Sequence, residues 1–532
     1  MYECPNCAGN LQFDIDCQQL LCRHCNTTVD PYSFQKEKDA EEATEYDVTV
    51  FSCPQCGGTI LSEDTTAATF CSFCGASTIL DSRIKKERRP ARIIPFTRTK
   101  EDCKKAYAKM MRRAIFAPGE LKKAEHIDKF RGIYMPYWIF SFENKGEISF
   151  NGTRSHQRGD YLHTKHYTLQ SYVDASYQGI SYDASAAFSD NLSSAIAPFD
   201  LTQEKPFTPS FLSGFYADTS DVDKWVYQGE AQDMALEDGF RYISKNSVCR
   251  WHHVADKNES SLKNALRPEC TSHDLVMLPV WFLSYRNGDR VAYAVVNGQT
   301  GKAAADLPVD RKKYIIGSLL LALPIFILFN LFFTVKPDIL LWLSLLLAFI
   351  CGVISSVQMS HIRRKDSGED DRGLVHKNSK ATGWVNYADT GRRKKSMGSA
   401  MGGILFTIVS TILAVMILPN FLIAELARGG KGAVTGVAAL ILFAGIMMGP
   451  KIKKLNISMK DMLSGLAKPA AVILFSLLIL LIHPASDLYY YGGVIAALCV
   501  VIWNLLDIIG RYNVLATRKL PQFNRRGGDD NA

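Results

Sequence analysis

Eight cysteines within the first 75 residues carry the clearest chemistry in this chain. Cys4 and Cys7 are followed by Cys22 and Cys25, and Cys53 and Cys56 by Cys71 and Cys74. Both sets read C-x2-C, fourteen residues, then C-x2-C. A two-residue gap lets two thiolates of one turn face the same ion, and two such knuckles close a tetrahedral Cys4 zinc site. Pro5 and Pro54 sit inside the first knuckles, and Gly9, Gly57, Gly58 and Gly75 follow knuckles, where the backbone must turn tightly. Four thiolates leave no position open for water. The two zinc ions are therefore expected to be structural, building ribbons whose folding energy is metal-binding energy. Cys17 reads as a bystander in the first ribbon.

Other reactive residue types form no comparable pattern. His163 and His166 make H-x2-H, but residues three apart on a strand face opposite sides, which makes a poor metal clamp. His252 and His253 are adjacent, and Cys103, Cys249, Cys270, Cys351 and Cys499 are scattered. There is no P-loop, no G-x-S-x-G and no H-E-x2-H. The expectation is no catalytic residue and no cofactor beyond zinc.

The elements that must position the cysteines follow. Residues 1–30 read as ribbon one, 31–50 as an acidic linker with a helix near Phe34–Ala43, and 51–82 as ribbon two. The charge then reverses. A basic segment, 83–123, opens an α+β domain over 83–308. Within it, Thr99–Ile115 has apolar residues at helical spacing, and the Ala117-Pro118-Gly119 step ends that helix. From Gly132 the pattern is a strand apolar on both parities, hence buried on both faces. Glu147–Asn151, His166–Val173 and Gln178–Tyr182 read as further strands, Asp221–Lys245 as a helix, and Val276–Tyr285 with Arg290–Val296 as a hairpin.

The mean hydropathy of −0.02 hides a split near residue 313. Long apolar runs follow: Tyr314–Val335, Asp338–Ser360, Ser399–Glu425, Gly432–Gly449, Pro469–Ser486 and Leu488–Gly510. A helix of about 20 apolar residues crosses a bilayer. The sequence thus predicts an all-α six-span transmembrane domain over 309–512 and a tail over 513–532. No basic start and apolar run precedes Cys4, so the N-terminus is expected to remain in the cytoplasm. Lys and Arg cluster before the first run, after the second and fourth, and in the tail, which places both termini inside a multi-pass cell-membrane protein. Polar groups at mid-depth are few, which favours an anchor over a transporter.

One further pattern is carried by Ile94-Pro95-Phe96, Gly132-Ile133-Tyr134-Met135-Pro136-Tyr137-Trp138, Val173-Asp174-Ala175-Ser176, Leu278-Pro279-Val280-Trp281 and Val296-Asn297-Gly298-Gln299-Thr300-Gly301-Lys302. With the double ribbon, over roughly residues 1–308, it resembles a bacterial family of membrane-attached double-zinc-ribbon proteins, the YdjG type. Ribbons of this kind are also similar to those of transcription-factor-IIB-like and primosomal-helicase-like proteins. The resemblance implies an adaptor linked with phage-shock-protein-A-like or flotillin-like membrane-stress factors, and it supplies no catalytic residues. The hydrophobic region here is longer than is usual in that family.

The function expected is a membrane-anchored zinc-ribbon scaffold that docks cytoplasmic protein partners. The alternative is a membrane-tethered nucleic-acid-binding protein. The ribbons nearly lack the Lys and Arg that phosphate contact requires, so the basic segment 83–123 would have to supply them. That segment could equally meet anionic lipid head groups.

Overall fold

The computed structural model describes residues 2–34, 45–56, 59–61, 71, 73–74, 81–254, 258–288, 290–332, most of 336–355, 371–375 and 469–482, and 484–519. The centre of the architecture is the stretch that reads as apolar on both parities. Gly132 to Phe140 is buried without a break. Such a strand needs cover on both faces and a neighbour on each edge.

The strands, in chain order, are β1 (Leu11–Asp14), β2 (Gln19–Cys22), β3 (Thr28–Val29), β4 (Glu45–Ser52), β5 (Thr59–Leu61), β6 (Asp81–Arg88), β7 (Arg92–Ile93), β8 (Arg131–Arg158), β9 (Tyr161–Asp183), β10 (Lys205–Pro206), β11 (Tyr216–Ala217), β12 (Glu269–Asn287), β13 (Arg290–Asn297), β14 (Ala303–Ala305) and β15 (Arg518–Lys519). β1, β2 and β3 make a three-stranded sheet. The others form a 12-stranded sheet whose spine runs β10-β7-β12-β8-β11-β5-β4-β6, with β9 on β8 and with β13 joining β12, β14 and β15. Among the described helices are α1 (Lys100–Arg113), α2 (Asp190–Ile196), α3 (Trp225–Ser244), α4 (Ser247–Trp251), α5 (Glu259–Ala265), α6 (Arg311–Phe332) and α7 (Asp487–Leu515).

Alternation along β8 sends Ile133, Met135, Tyr137 and Ile139 to one face, where they meet β12, β13 and α2 residues Leu192 and Ile196. The opposite parity divides. Tyr134 packs with α1 residues Cys103, Tyr107 and Met111 and with ribbon-one residues Leu11, Phe13 and Leu20. Trp138, Phe140 and Phe142 pack with Tyr227, Ala231 and Ala235 of α3. α1 starts where the sequence predicts, because Thr99 and Asp102 form a reciprocal capping box. Gly298 is required by packing: a Cβ there would lie 2.6 Å from the Phe96 ring.

Three expectations need correction. The strands predicted at 147–151, 166–173 and 178–182 are parts of one ribbon, β8 and β9 pairing from Tyr137↔Asp183 out to Arg158↔Tyr161. The end of the predicted acidic linker is a strand, because Glu45–Ser52 pairs with Asp81–Arg88 along its whole length; of the helix predicted at Phe34–Ala43, Phe34 ends a 3-10 turn, Pro31–Phe34, and 35–43 lies outside the described residues.

The third concerns the six-span all-α domain, which is overturned. Among the described residues one helix, Asp487–Val514, is long and apolar enough to cross a membrane. α6 opens on the cations Arg311, Lys312 and Lys313. Leu343–Gly352 is a shorter apolar helix; at 1.5 Å per residue it covers about half of a ~30 Å hydrocarbon core. The runs at 399–425 and 432–449 lie outside the described residues. Apolar composition sets how long a run is, and leaves open how long a helix that run forms.

The helices are keyed to the sheet at one end. Asp310 N–H donates to Phe116 O at 2.8 Å, Lys313 Nζ to Ala117 O at 2.9 Å, and Val309 N–H to Asn513 Oδ1 at 2.7 Å. Arg290, at the β12–β13 turn, donates to Thr517 Oγ1 at 2.7 Å and Val514 O at 2.7 Å. β15 then pairs with the same turn, Arg290↔Lys519 and Val291↔Arg518.

Candidate metal centres

In ribbon one the two knuckles have the same backbone. Cys4 N–H donates to Gly9 O at 2.8 Å and Ala8 N–H to Cys4 O at 2.9 Å; Cys22 N–H donates to Thr27 O at 2.9 Å and Asn26 N–H to Cys22 O at 2.8 Å. The fifth residue of each turn takes a left-handed conformation, Ala8 at φ 54° and Asn26 at φ 56°. These turns aim four sulfurs at one point. Cys4 and Cys25 Sγ are 3.5 Å apart, Cys7 and Cys22 3.5 Å, and Cys7 and Cys25 3.3 Å. A Cβ on Gly9 would come within 3.2 Å of two of these sulfurs, a tight contact that the cage could meet only by shifting.

Ribbon two brings Cys53 within 3.8 Å of Cys74, and Cys56 within 3.7 Å of Cys71. In each ribbon all four sulfurs lie within 4.8 Å of one another. Four thiolates about 2.3 Å from a tetrahedral ion stand about 3.8 Å apart, so both cages have the size such an ion needs. The electrostatics agree. Hydrogen bonds from Cys56 and Cys74, together with burial, push the Cys71 thiol far above its usual range. Four buried sulfurs cannot all ionise without a cation among them. The two Cys4 groups can each hold a metal ion.

The centres differ in access. Cys25 is exposed and Cys7 half-buried, whereas Cys53, Cys56, Cys71 and Cys74 are all buried. A mercurial thiol reagent is therefore expected to release metal in two phases, ribbon one first and roughly tenfold or more faster. A chromogenic indicator reads this directly; one phase carrying both metals contradicts it.

Neither ribbon stands apart from the domain. Ribbon one shares its core with α1 and β8. In ribbon two, Phe73 stacks edge-on to Phe282 at 6.2 Å and its carbonyl accepts from Tyr293 Oη at 2.7 Å. β11 bridges β5 to β8.

The histidines noted in the sequence join no metal-ligand group among the described residues. His163 faces His156 across the ribbon with rings 5.4 Å apart, while His166 is opposite Thr153 on the other parity. His252 packs on Tyr167 at 4.7 Å. Part of the basic segment is spent internally: Arg92 pairs with Glu204 at 3.0 Å, and Lys104 with Glu101 and Asp128, each at 2.7 Å.

One charged site has no local signal in the sequence. Asp183 and Asp371 are each 2% exposed. Asp190 lies beside them, accepting from Tyr227 Oη at 2.7 Å and from Arg372 N–H at 2.9 Å. Arg372 pairs with Glu230 at 2.8 Å, and Arg518 with Asp371 at 3.4 Å. Arg518 also donates to Ser189 Oγ. Burial, then the charges of Asp190 and Asp371, hold the Asp183 carboxyl well above the carboxylate range. The folded chain thus binds this proton more tightly than the unfolded chain. The stability it contributes is complete below pH ~4 and is lost as pH rises through the raised value. An amide at this position has no such proton to lose. Asp183→Asn is expected to flatten the fall in melting temperature between pH 5 and pH 8; equal pH dependence in the two proteins would mean that Asp183 is ionised in the fold.

Comparison with known proteins follows this geometry. The chain is 30% identical over 323 residues to the protein named "Uncharacterized protein YdjG" of Bacillus subtilis (strain 168), covering 59% of this chain and 91% of that relative. The chain belongs to the YdjG family. No family model matches it. No solved structure matches this YdjG-family chain either.

Proposed function

We propose that this protein is a membrane-attached scaffold whose zinc ribbons present a docking face to cytoplasmic protein partners. One observation supports this most. Ribbon one is fixed to the domain by its apolar side, yet its knuckles, including Pro5, Asn6, Arg23, His24 and Asn26, are exposed. A metal-braced turn held on a rigid base loses little entropy on binding. Zinc is the ion assigned, since an all-thiolate tetrahedral cage suits it and the closed coordination builds shape.

Attachment rests on α7. The end of α7 that meets the sheet carries Arg511 and is followed by Arg518 and Lys519 of β15, and α6 starts from the same side with Arg311, Lys312 and Lys313. The other end of α7 carries Tyr489, Tyr490 and Tyr491. Positive-inside bias with an aromatic outer belt supports a common cytoplasmic side for the ribbons, the sheet and residues 518–519. The YdjG-type resemblance suggests phage-shock-protein-A-like or flotillin-like partners.

The test uses the full chain in mild detergent. Elemental analysis should give two zinc ions per chain. Binding to a purified phage-shock-protein-A-like or flotillin-like protein should weaken at least about tenfold in the variant Arg23→Glu/His24→Glu, which leaves all eight cysteines in place. Unchanged affinity in a variant that retains both zinc ions moves docking off the ribbon face and defeats the reading.

A further inference from the structure

β8 and β9 run beyond the sheet as a two-stranded arm. β12 stops pairing with β8 at Glu269↔Glu143, and the arm continues to Arg158, roughly 50 Å of strand. Its inner part is covered: Ile148, Phe150 and Val173 pack with Cys249, Val254, Leu262 and Leu266. The cover ends where Thr153 N–H donates to His252 O at 2.7 Å. From Arg154 to His166 every residue but Ser155 is exposed.

This outer end has an unusual charge pattern. Arg154 stands opposite Lys165, His156 opposite His163, and Arg158 opposite Tyr161. Alternation places all six on one face. Like charges set directly across a ladder repel, and no carboxylate pairs with Arg154, Arg158 or Lys165 among the described residues. From Ile148 to Val173 the sequence has one acid, Asp160 at the turn. Exposed rings accompany the cations. Tyr161 is 75% and Trp251 60% exposed, and Arg154 lies over Trp251 at 4.3 Å.

We propose that this face is a binding surface for single-stranded nucleic acid. Arg154 and Arg158 stand four residues apart on β8, about 13 Å, with Lys165 opposite Arg154, a spacing suited to a phosphodiester backbone. Tyr161 and Trp251 offer flat faces on which bases stack without regard to sequence. A bilayer is the poorer occupant because of position. The helices meet the sheet at the Arg290 turn, and the arm leaves from the far end of β12, roughly 60 Å of strand away. An acidic protein would satisfy the cations and leave the rings unused. The surface is separate from the ribbon knuckles, and the inference does not depend on the docking reading.

The test is an anisotropy titration of a labelled oligothymidylate with the full chain in detergent, at several salt concentrations. Three Lys and Arg contacts predict that log affinity falls with log salt at a slope of about −2. Arg158→Glu/Lys165→Glu should weaken binding at least about tenfold with an unchanged melting temperature, since both side chains are exposed at the tip. Lys109→Glu on α1 should leave affinity as it is. Tyr161→Ala/Trp251→Ala should weaken binding with little change in salt slope. Unaltered affinity in the charge-reversed protein overturns the proposal. So does stronger binding to polyglutamate or to anionic vesicles than to the oligonucleotide.

Discussion

Cys71→Ala is expected to unfold the sheet domain as a whole, beyond ribbon two itself. Structural zinc in an all-thiolate cage contributes about 10–16 kcal/mol, as much as the entire stability of a typical domain, ~5–15 kcal/mol. Had the ribbon been a separate bead, that loss would stay local. Here the ribbon is woven in. β4 and β6 pair over eight residues each, β11 ties β5 to β8, and Phe73 sits 1% exposed against Phe282. Losing the cage removes a packing surface and a hydrogen-bond acceptor for Tyr293, which is buried. Even ~5 kcal/mol transmitted to the domain would lower its melting point by roughly 10–20 °C. Calorimetry and limited proteolysis of the full chain in detergent read the outcome. A variant that retains one zinc and melts with the wild-type midpoint would show that the ribbon is energetically separate.

The second large effect is at Arg518. Its guanidinium reaches Asp371, which is 2% exposed, from 147 residues further along the chain. Removing one partner of a buried pair strands the other charge and costs about 3–5 kcal/mol. Arg518→Ala should therefore destabilise the domain by roughly 3 kcal/mol, toward the lower end because the arginine side chain is 18% exposed. Asp371→Asn in the same chain should restore most of the loss. That rescue separates a stranded charge from the trivial loss of β15. An Arg518→Ala protein with wild-type melting would sink the argument.

Some of this was legible in the sequence because its causes are local. A Cys4 cage needs two thiolates per turn, and the C-x2-C spacing writes that directly; the structure brings all eight of those cysteines into two groups. The Thr99–Asp102 cap is likewise a four-residue event. The double-sided burial of Gly132–Phe140 follows from apolar residues at both parities. What was not legible depends on partners far apart. The apolar tail suggested six spans, but periodicity and length cannot tell one continuous helix from shorter pieces, and Asp487–Val514 alone qualifies among the described residues. The β8–β9 arm was missed because it has no strong break: Gly146 adopts φ 145° inside β8 while pairing continues. The cage of Asp183, Asp190 and Asp371 had no signal at all, since each is an ordinary aspartate until Arg372 and Arg518 arrive. The ribbons were read as modules because their metal ligands are contiguous, whereas the strands that bind them to the sheet take partners up to 156 residues away, as in Leu61 with Ala217.

The pairing of Arg518 and Lys519 with β13 also sets an order of events during synthesis. Val291 and Arg290 leave the ribosome more than two hundred residues before the strand that will cover them. Throughout that interval the sheet carries an open edge at this turn, and Asp371 is made without the arginine that later meets it. A chain halted before residue 518 keeps both defects, however well its ribbons have metallated. The β13–β15 hydrogen bonds are thus made only by chains whose α7 has already been synthesised, so that this edge, once closed, certifies a finished α7.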